Sequence, residues 1–291
     1  MERTDLSPSR VIRINDDEYP ENLKLIDTPP EKIYYRGDKE LLYRRSIAIV
    51  GSRRCSEYGK NVAMKIAGQA VRNGFCVISG MAIGIDNFAH QGALRNDGKT
   101  IAVLGSGADI CYPRQHRGLY EDISKFGLIV SELPDGTEPR PYSFPRRNRI
   151  IAGLSEAVVV VEARMGSGSL ITAECADSQN KPVFAVPGNI NSQYSLGTNR
   201  LIVEGAQIVS VIDDIFNYLG VSPVLDDEEL KELGEDEREI YEFVKANGEI
   251  PGDMISIRLN KDPLLVSRVL SVLEIKGFVD YSMGKVMAVK F

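Results

Sequence analysis

The sequence predicts an α/β fold: a mainly parallel sheet with helices on both faces, followed by a small C-terminal module of a different kind. Three observations lead to it. Between Ile47 and Ile208 the chain repeats one pattern: an apolar strand, a glycine-containing turn and a helix start. Strands alternating with helices imply right-handed crossovers and therefore parallel pairing. Several strands are unbroken β-branched runs, Val158-Val159-Val160-Val161 among them, as strands covered on both faces require. The pattern then stops at Gly220-Val221-Ser222-Pro223, and helical periodicity takes over.

The elements follow in order. Residues 1–44 are polar and interrupted by Pro20, Pro29 and Pro30, which break any long helix. They read as an N-terminal arm packed on the core, with Lys32-Ile33-Tyr34-Tyr35 as an edge strand. The central domain spans 45–220, with strands expected at 47–50, 76–79, 100–104, 128–131, 158–162, 183–186 and 207–209. One helix starts after Ser56 and runs through Ala63, Ile66, Ala67 and Ala70; another carries Asp86, Ala89 and Leu94. Ser169 is placed to N-cap a third, over 170–178. An acidic linker is expected at 221–233, with Asp226-Asp227-Glu228-Glu229 at its centre. Over 234–291 the pattern predicts helices at 239–246 and 254–259. A third helix, with Pro263 in its first turn, buries Leu265, Val266, Val269, Leu270 and Leu273 and ends at Gly277. A hairpin turns at Met283-Gly284. Three helices and a hairpin make a winged-helix-like module.

Composition narrows the function classes. With 291 residues, 43% of them apolar and 26% charged, the chain reads as a globular protein of about two domains. It has no apolar run of membrane-spanning length. The stretch Met1-Glu2-Arg3-Thr4-Asp5 lacks a signal-peptide core. Cys55, Cys76, Cys111 and Cys175 are scattered without C-x-x-C spacing, which argues against a zinc site or disulfide scaffold and fits a reducing cytoplasm. The net charge of −6 lies entirely in residues 226–291, which hold 15 acidic and 9 basic residues. The rest of the chain is neutral, so a local basic patch for a polyanion is compatible with it.

Four turns carry phosphate-friendly chemistry: Gly51-Ser52-Arg53, Gly80 within Ser79-Gly80-Met81-Ala82-Ile83-Gly84, Gly105-Ser106-Gly107, and Gly166-Ser167-Gly168-Ser169. In a parallel sheet all of them lie at the carboxyl edge, where glycines admit a close backbone approach and helix N-termini present unpaired N–H groups. Arg53 is either a bidentate phosphate ligand or a surface arginine on a turn. Arg146-Arg147-Asn148-Arg149, preceded by Arg140, Tyr142 and Phe144, interleaves cations and rings in the way a single strand demands. The plain alternative is a charged helix start with its aromatics in the core. Gly105-Ser106-Gly107 lacks the last glycine of the dinucleotide fingerprint, where Ile110 stands, and no P-loop occurs. Catalytic constellations are thin. Asp86 and His90, four apart on one helix, read better as a capping aspartate and a satisfied histidine than as an acid–base pair.

These stretches together closely resemble the DNA-processing protein A (DprA/Smf) family. They include Ile47-Ala48-Ile49-Val50-Gly51-Ser52-Arg53, Ser79-Gly80-Met81-Ala82-Ile83-Gly84-Ile85-Asp86 with His90, and Tyr112-Pro113. Phe144-Pro145-Arg146-Arg147-Asn148-Arg149, Ser167-Gly168-Ser169-Leu170-Ile171-Thr172-Ala173, Val186-Pro187-Gly188 and Gly197-Thr198-Asn199 complete the series. The resemblance spans about residues 30–215. It implies a Rossmann-like fold that binds single-stranded DNA, forms homodimers and loads the RecA recombinase during natural transformation, with no cofactor and no catalysed reaction. It carries phosphate contact to Arg53, base stacking to Phe144, pocket lining to Arg147, Asn148 and Arg149, and further DNA contact to Arg114 and Arg140. Two departures stand out: Ile83 occupies a position that is often basic, and a helical N-terminal domain of the sterile-alpha-motif type is expected to be missing. The acidic tail is expected to contact protein instead of DNA. The rival is a nucleoside-monophosphate hydrolase of the related lysine-decarboxylase-like (LOG) group, with motif G-G-x-G-T-x-x-E. Here Thr172 stands where its glutamate should be, and Glu174 lies about 200° further round the helix. A sensor of small nucleotides that signals through the tail is a third reading.

Overall fold

The computed structural model describes residues 8–221, 233–276, 278–282 and 284–288. The chain divides into two compact units, Met1–Leu219 and Gly220–Phe291.

The larger unit is built on a nine-stranded sheet. Its strands are β1 (Arg10–Arg13), β2 (Lys32–Gly37), β3 (Ser46–Val50), β4 (Cys76–Ser79), β5 (Thr100–Val103), β6 (Leu128–Ser131), β7 (Ala157–Val160), β8 (Val183–Ala185) and β9 (Gln207–Ile208). They lie in the order β1-β2-β6-β5-β4-β3-β7-β8-β9. All pairs from β6 to β9 are parallel. The chain winds outward from β3 through β4 and β5 to β6. It then returns to place β7 on the other side of β3, in register Val50↔Val160. The carboxyl ends of β3 and β7 thus flank the topological switch point, where open α/β sheets hold ligands.

Alternate residues of one strand serve two cores. Ile101 and Val103 join Val158 and Val160 in a cluster with Leu23, Ile150, Ile151, Ala173 and Ala176. Ala102 and Ile129 face a second cluster with Tyr120 and Ile123. Helices therefore cover both faces: α1 (Glu21–Lys24), α5 (Ser143–Leu154) and α6 (Gly168–Ser178) on one, α4 (Arg117–Phe126) on the other. α2 (Glu57–Arg72) and α3 (Ile85–Arg95) pair with each other and pack on β3 and β4, while α7 (Leu196–Val203) and α8 (Asp213–Tyr218) close the unit.

Two expectations need correction. The strand over Lys32-Ile33-Tyr34-Tyr35 is not at the edge; it pairs antiparallel with both β6 and β1, and β1 is the edge. The proline-broken segment thus contributes backbone pairing to the sheet as well as packing on it. The N-cap of α6 is Ser167, two residues before the one expected: its Oγ accepts from the Ser169 N–H, while the Ser169 hydroxyl is drawn into a contact with Ser167 Oγ at 2.9 Å.

The smaller unit has α9 (Glu235–Asn247), β10 (Ile250–Pro251), α10 (Gly252–Leu259), α11 (Pro263–Ile275), β11 (Val279–Ser282) and β12 (Lys285–Ala288). Its sheet is antiparallel with β12 in the middle. Ile240, Tyr241, Val244, Val266, Leu270, Leu273 and Val286 form its core. The short β10 was not expected. The acidic run 226–229, Gly277, Met283 and residues 289–291 lie outside the described residues.

Candidate functional site

A cleft of about 620 Å³ opens at the switch point. Its walls come from the turns after β3 and β7, the first turns of α5 and α6, and Tyr112. Nine of the residues singled out from the sequence line it: Gly51, Ser52, Arg53, Phe144, Arg147, Asn148, Ser167, Gly168 and Ser169. Four arginines, Arg53, Arg54, Arg147 and Arg164, face a single carboxylate, Asp86, so the cleft is electropositive.

The four glycine turns have different fates. In the turn after β4, the N–H groups of Gly80 and Ala82 donate to the Asp86 carboxylate at 3.2 and 3.4 Å. That anion-binding turn is filled by the chain's own aspartate. Burial pushes the Asp86 carboxyl up, while Arg147 and these amides hold it down. The turn after β5 is closed by Gly107 N–H donating to the Thr137 carbonyl at 2.8 Å. In the turn after β3, Ser52 N–H donates to the Glu162 carbonyl at 2.7 Å, and the Glu162 carboxylate accepts from Ser56 N–H at the start of α2. The Gly166–Ser169 turn is open: nothing lies within 4 Å of the side-chain direction of Gly166 or Gly168. It leads into the N-terminus of α6, whose N–H groups favour an anion.

The aromatic wall is a stack. Arg53 is exposed, and its guanidinium lies over the Phe144 ring, 5.4 Å from the centroid. Phe144 in turn packs on Tyr112 at 5.5 Å. A Cβ on Gly105 would lie 2.8 Å from the Phe144 ring, so only glycine lets the ring seat there.

The arginine cluster splits three ways. Arg147 is buried, and its Nη1 donates to the carbonyls of Gly80, at 2.7 Å, and Val103, while its Nε donates to Asn148 Oδ1. Burial pushes its pKa down to about 10. It braces the ends of β4 and β5, and a Cβ on Gly80 would collide with it at 2.2 Å. Asn148 Nδ2 extends this brace to the Gly168 carbonyl at 3.0 Å. Arg149 and Arg146 lie elsewhere, sharing the Glu132 carboxylate at 2.8 and 3.1 Å beside a separate groove with Thr28 and Tyr34. The expectation that Arg149 lines the cleft with Arg147 is therefore corrected: successive helix positions diverge by about 100°. Within the chain itself, Glu132 offsets Arg146 and Arg149, and backbone carbonyls accept from Arg147. Arg114 and Arg140 are exposed and do not line the cleft; neither does Gly80, which lies beneath Arg147. Ile83 is exposed beside Ala82.

Sequence reading missed Arg54, Tyr112 and Arg164 as site residues. The rule that picked out Arg53, an arginine just beyond a parallel strand, applies equally to Arg164 after β7. His90 and Asp86 are not an acid–base pair. His90 Nδ1 meets Thr100 Oγ1 at 2.7 Å, and that hydroxyl donates to the Val77 carbonyl, so the imidazole Nδ1–H is the donor. Its Nε2 is left without a partner, and burial pushes the pKa down to about 3. Among the described residues no cluster of His, Cys, Asp and Glu could hold a metal, and no helix is long and apolar enough to cross a membrane.

A sequence profile of the DNA recombination-mediator protein A family matches residues 10–220, which include the whole cleft. The chain belongs to this family. It is 45% identical over 202 residues to the DNA processing protein DprA of Streptococcus pneumoniae, covering 69% of this chain and 71% of that one. To protein Smf of Synechocystis it is 42% identical over 239 residues, covering 80% of this chain but only 60% of that relative's length. The X-ray structure of S. pneumoniae DprA matches with a TM-score of 0.70 at 42% identity, over 72% of this chain and 74% of that one. A structure of DNA processing protein A from Helicobacter pylori, described for its single-stranded DNA binding mode, matches with a TM-score of 0.66 at 32% identity. It covers 72% of this chain and 96% of that one. The family resemblance read from the motifs and the Rossmann-like fold both hold.

Proposed function

We propose that this protein binds single-stranded DNA in the switch-point cleft, protects incoming single strands and loads a RecA-type recombinase onto them during transformation and homologous recombination. The observation that carries the DNA reading is the cleft itself: arginines beside an Arg53–Phe144–Tyr112 stack, with the open N-terminus of α6 in the same wall. Guanidinium and amide groups would hold phosphates while Phe144 stacks on a base. Neither contact reads sequence, so binding is sequence-tolerant and prefers single strands. The H. pylori relative's single-stranded DNA binding supports the same reading.

Within this proposal the protein acts in the cytoplasm as a homodimer, without cofactor or catalysed reaction. The outer edge of β9 supports self-association, since Val203, Ile208 and Val211 are exposed around it. The element order of the smaller unit supports a winged-helix module, and its acidity favours a protein partner. Nucleoside-monophosphate hydrolysis has less support. Thr172 lines the cleft where the hydrolase motif needs an acid, and Glu174 is exposed outside it.

The test is fluorescence anisotropy of a labelled oligonucleotide, single-stranded or duplex, titrated at several salt concentrations. Preferential, salt-sensitive binding of the single strand is expected. Equal weak binding of both, or release of free base from a nucleoside monophosphate, would sink the proposal.

A further inference from the structure

Two guanidiniums line the cleft from the ends of neighbouring strands. Arg53 follows β3 and Arg164 follows β7, the two strands that pair across the switch point. Each lies over an aromatic ring: Arg53 over Phe144, and Arg164 over Tyr194 at 5.1 Å. Neither forms an ion pair with a carboxylate among the described residues. Arg164 makes no side-chain hydrogen bond within the described residues, its Nε–H being buried without a partner. Arg164 is half-buried, so its guanidinium keeps an exposed side that lines the cleft. The backbone around it is fixed. Ala163 N–H donates to the Tyr194 carbonyl at 2.9 Å, Gly197 N–H to the Ala163 carbonyl at 2.8 Å and Ser167 N–H to the Arg164 carbonyl at 3.0 Å. The guanidinium is thus tied through its own peptide to the turn that opens α6. Arg147, by contrast, lines the same cleft with its Nη1 bound to two backbone carbonyls and its Nε to Asn148.

We propose that Arg164 is a second phosphate-binding arginine, gripping the backbone phosphate next to the one held by Arg53, so that the two strand ends hold adjacent phosphates of one strand. Tyr194 holds the guanidinium flat and presents its fork to the phosphate oxygens. This rests on the single-stranded DNA reading of the cleft.

The experiment compares the wild type, Arg53→Ala, Arg164→Gln, Arg164→Lys and the Arg53→Ala/Arg164→Gln double variant, binding a labelled oligothymidylate over a salt series. Circular dichroism melts check that each folds. Each lost phosphate contact should lower the slope of log affinity against log salt by about 0.7. Arg164→Gln should lose about tenfold in affinity and one such step in slope. The double variant should lose two steps. Arg164→Lys should keep the slope yet bind several-fold more weakly, because an ammonium has no fork. That variant serves where Arg164→Gln does not fold. If Arg53→Ala weakens binding while both Arg164 variants match the wild type, this inference alone is wrong. A double variant that loses only one step means both arginines serve one phosphate, which also overturns it. If the wild type ignores single strands, the reading of the cleft itself fails.

Discussion

Arg53 and Arg147 line one cleft and should behave in opposite ways when removed. Arg53 is exposed, and among the described residues its side chain touches the Phe144 ring. Arg53→Ala should therefore leave stability within about 1 kcal/mol of the wild type, the size of an exposed cation–π contact. Affinity for single-stranded DNA should fall about tenfold and its salt dependence should flatten. Arg147→Ala withdraws a buried cation from the Gly80 and Val103 carbonyls and from the field of Asp86. Removing one member of a buried charged set costs about 3–5 kcal/mol. Urea unfolding should show that loss, and any fall in DNA affinity should accompany it. An Arg147→Ala protein with unchanged stability and weakened binding would make Arg147 a DNA ligand and not a brace.

Among the elements, the glycine turns were legible because apolar strand, glycine and helix start follow a fixed order along the chain. Which turns stay open was harder to read. Asp86 lies in the first turn of α3 as expected, but it does not cap that helix: the N-cap is Gly84, without a side-chain bond, and the carboxylate reaches back to the Gly80 and Ala82 amides of the preceding turn, which helix position alone does not reveal. Arg147 shares a helix face with Ile150, Ile151 and Leu154, and its burial was readable from that period. The Arg149–Glu132 pair was not, because β6 and α5 meet only in the fold. Of the two N-terminal strands β2 was legible and β1 was not, because Arg10-Val11-Ile12-Arg13 holds only two apolar residues between charges, too short a run to show alternation. His90 joins α3 to β5 and yields an element-scale prediction. Its pKa is about 3 when folded, against 6.5 for the free side chain, so below pH 6.5 the unfolded chain binds a proton that the folded one refuses. Stability from this group is complete above about pH 6.5 and is lost as pH falls towards 3, by up to about 1.4 kcal/mol per pH unit. Unfolding free energies of the wild type and His90→Gln, measured from pH 7 to pH 4, should diverge in slope by this term. Parallel curves would mean that His90 charges without cost.

At the scale of the whole molecule the decisive fact is how charge and site are divided. The cleft lies wholly in the unit Met1–Leu219, and the excess negative charge lies wholly after residue 225. A chain ending at Leu219 loses no cleft residue and sheds a net charge of −6. It should bind single-stranded DNA at least as tightly as the full chain, with the same salt slope, since the slope counts phosphate contacts and not net charge. The exposed apolar residues flanking β9 also remain, so self-association should survive the truncation. Sedimentation analysis of the full chain, the truncated chain and an Ile208→Arg variant separates these contributions. A charge placed on an open strand edge blocks pairing with another strand. The variant should therefore run at half the mass while its affinity for a short oligonucleotide is unchanged. Binding to longer strands should weaken, because two linked clefts gain avidity that one cleft lacks. If the truncated chain instead loses both DNA binding and the steepness of its salt response, the smaller unit is part of the DNA surface despite its charge. The proposal of a protein partner for it would then have to be withdrawn.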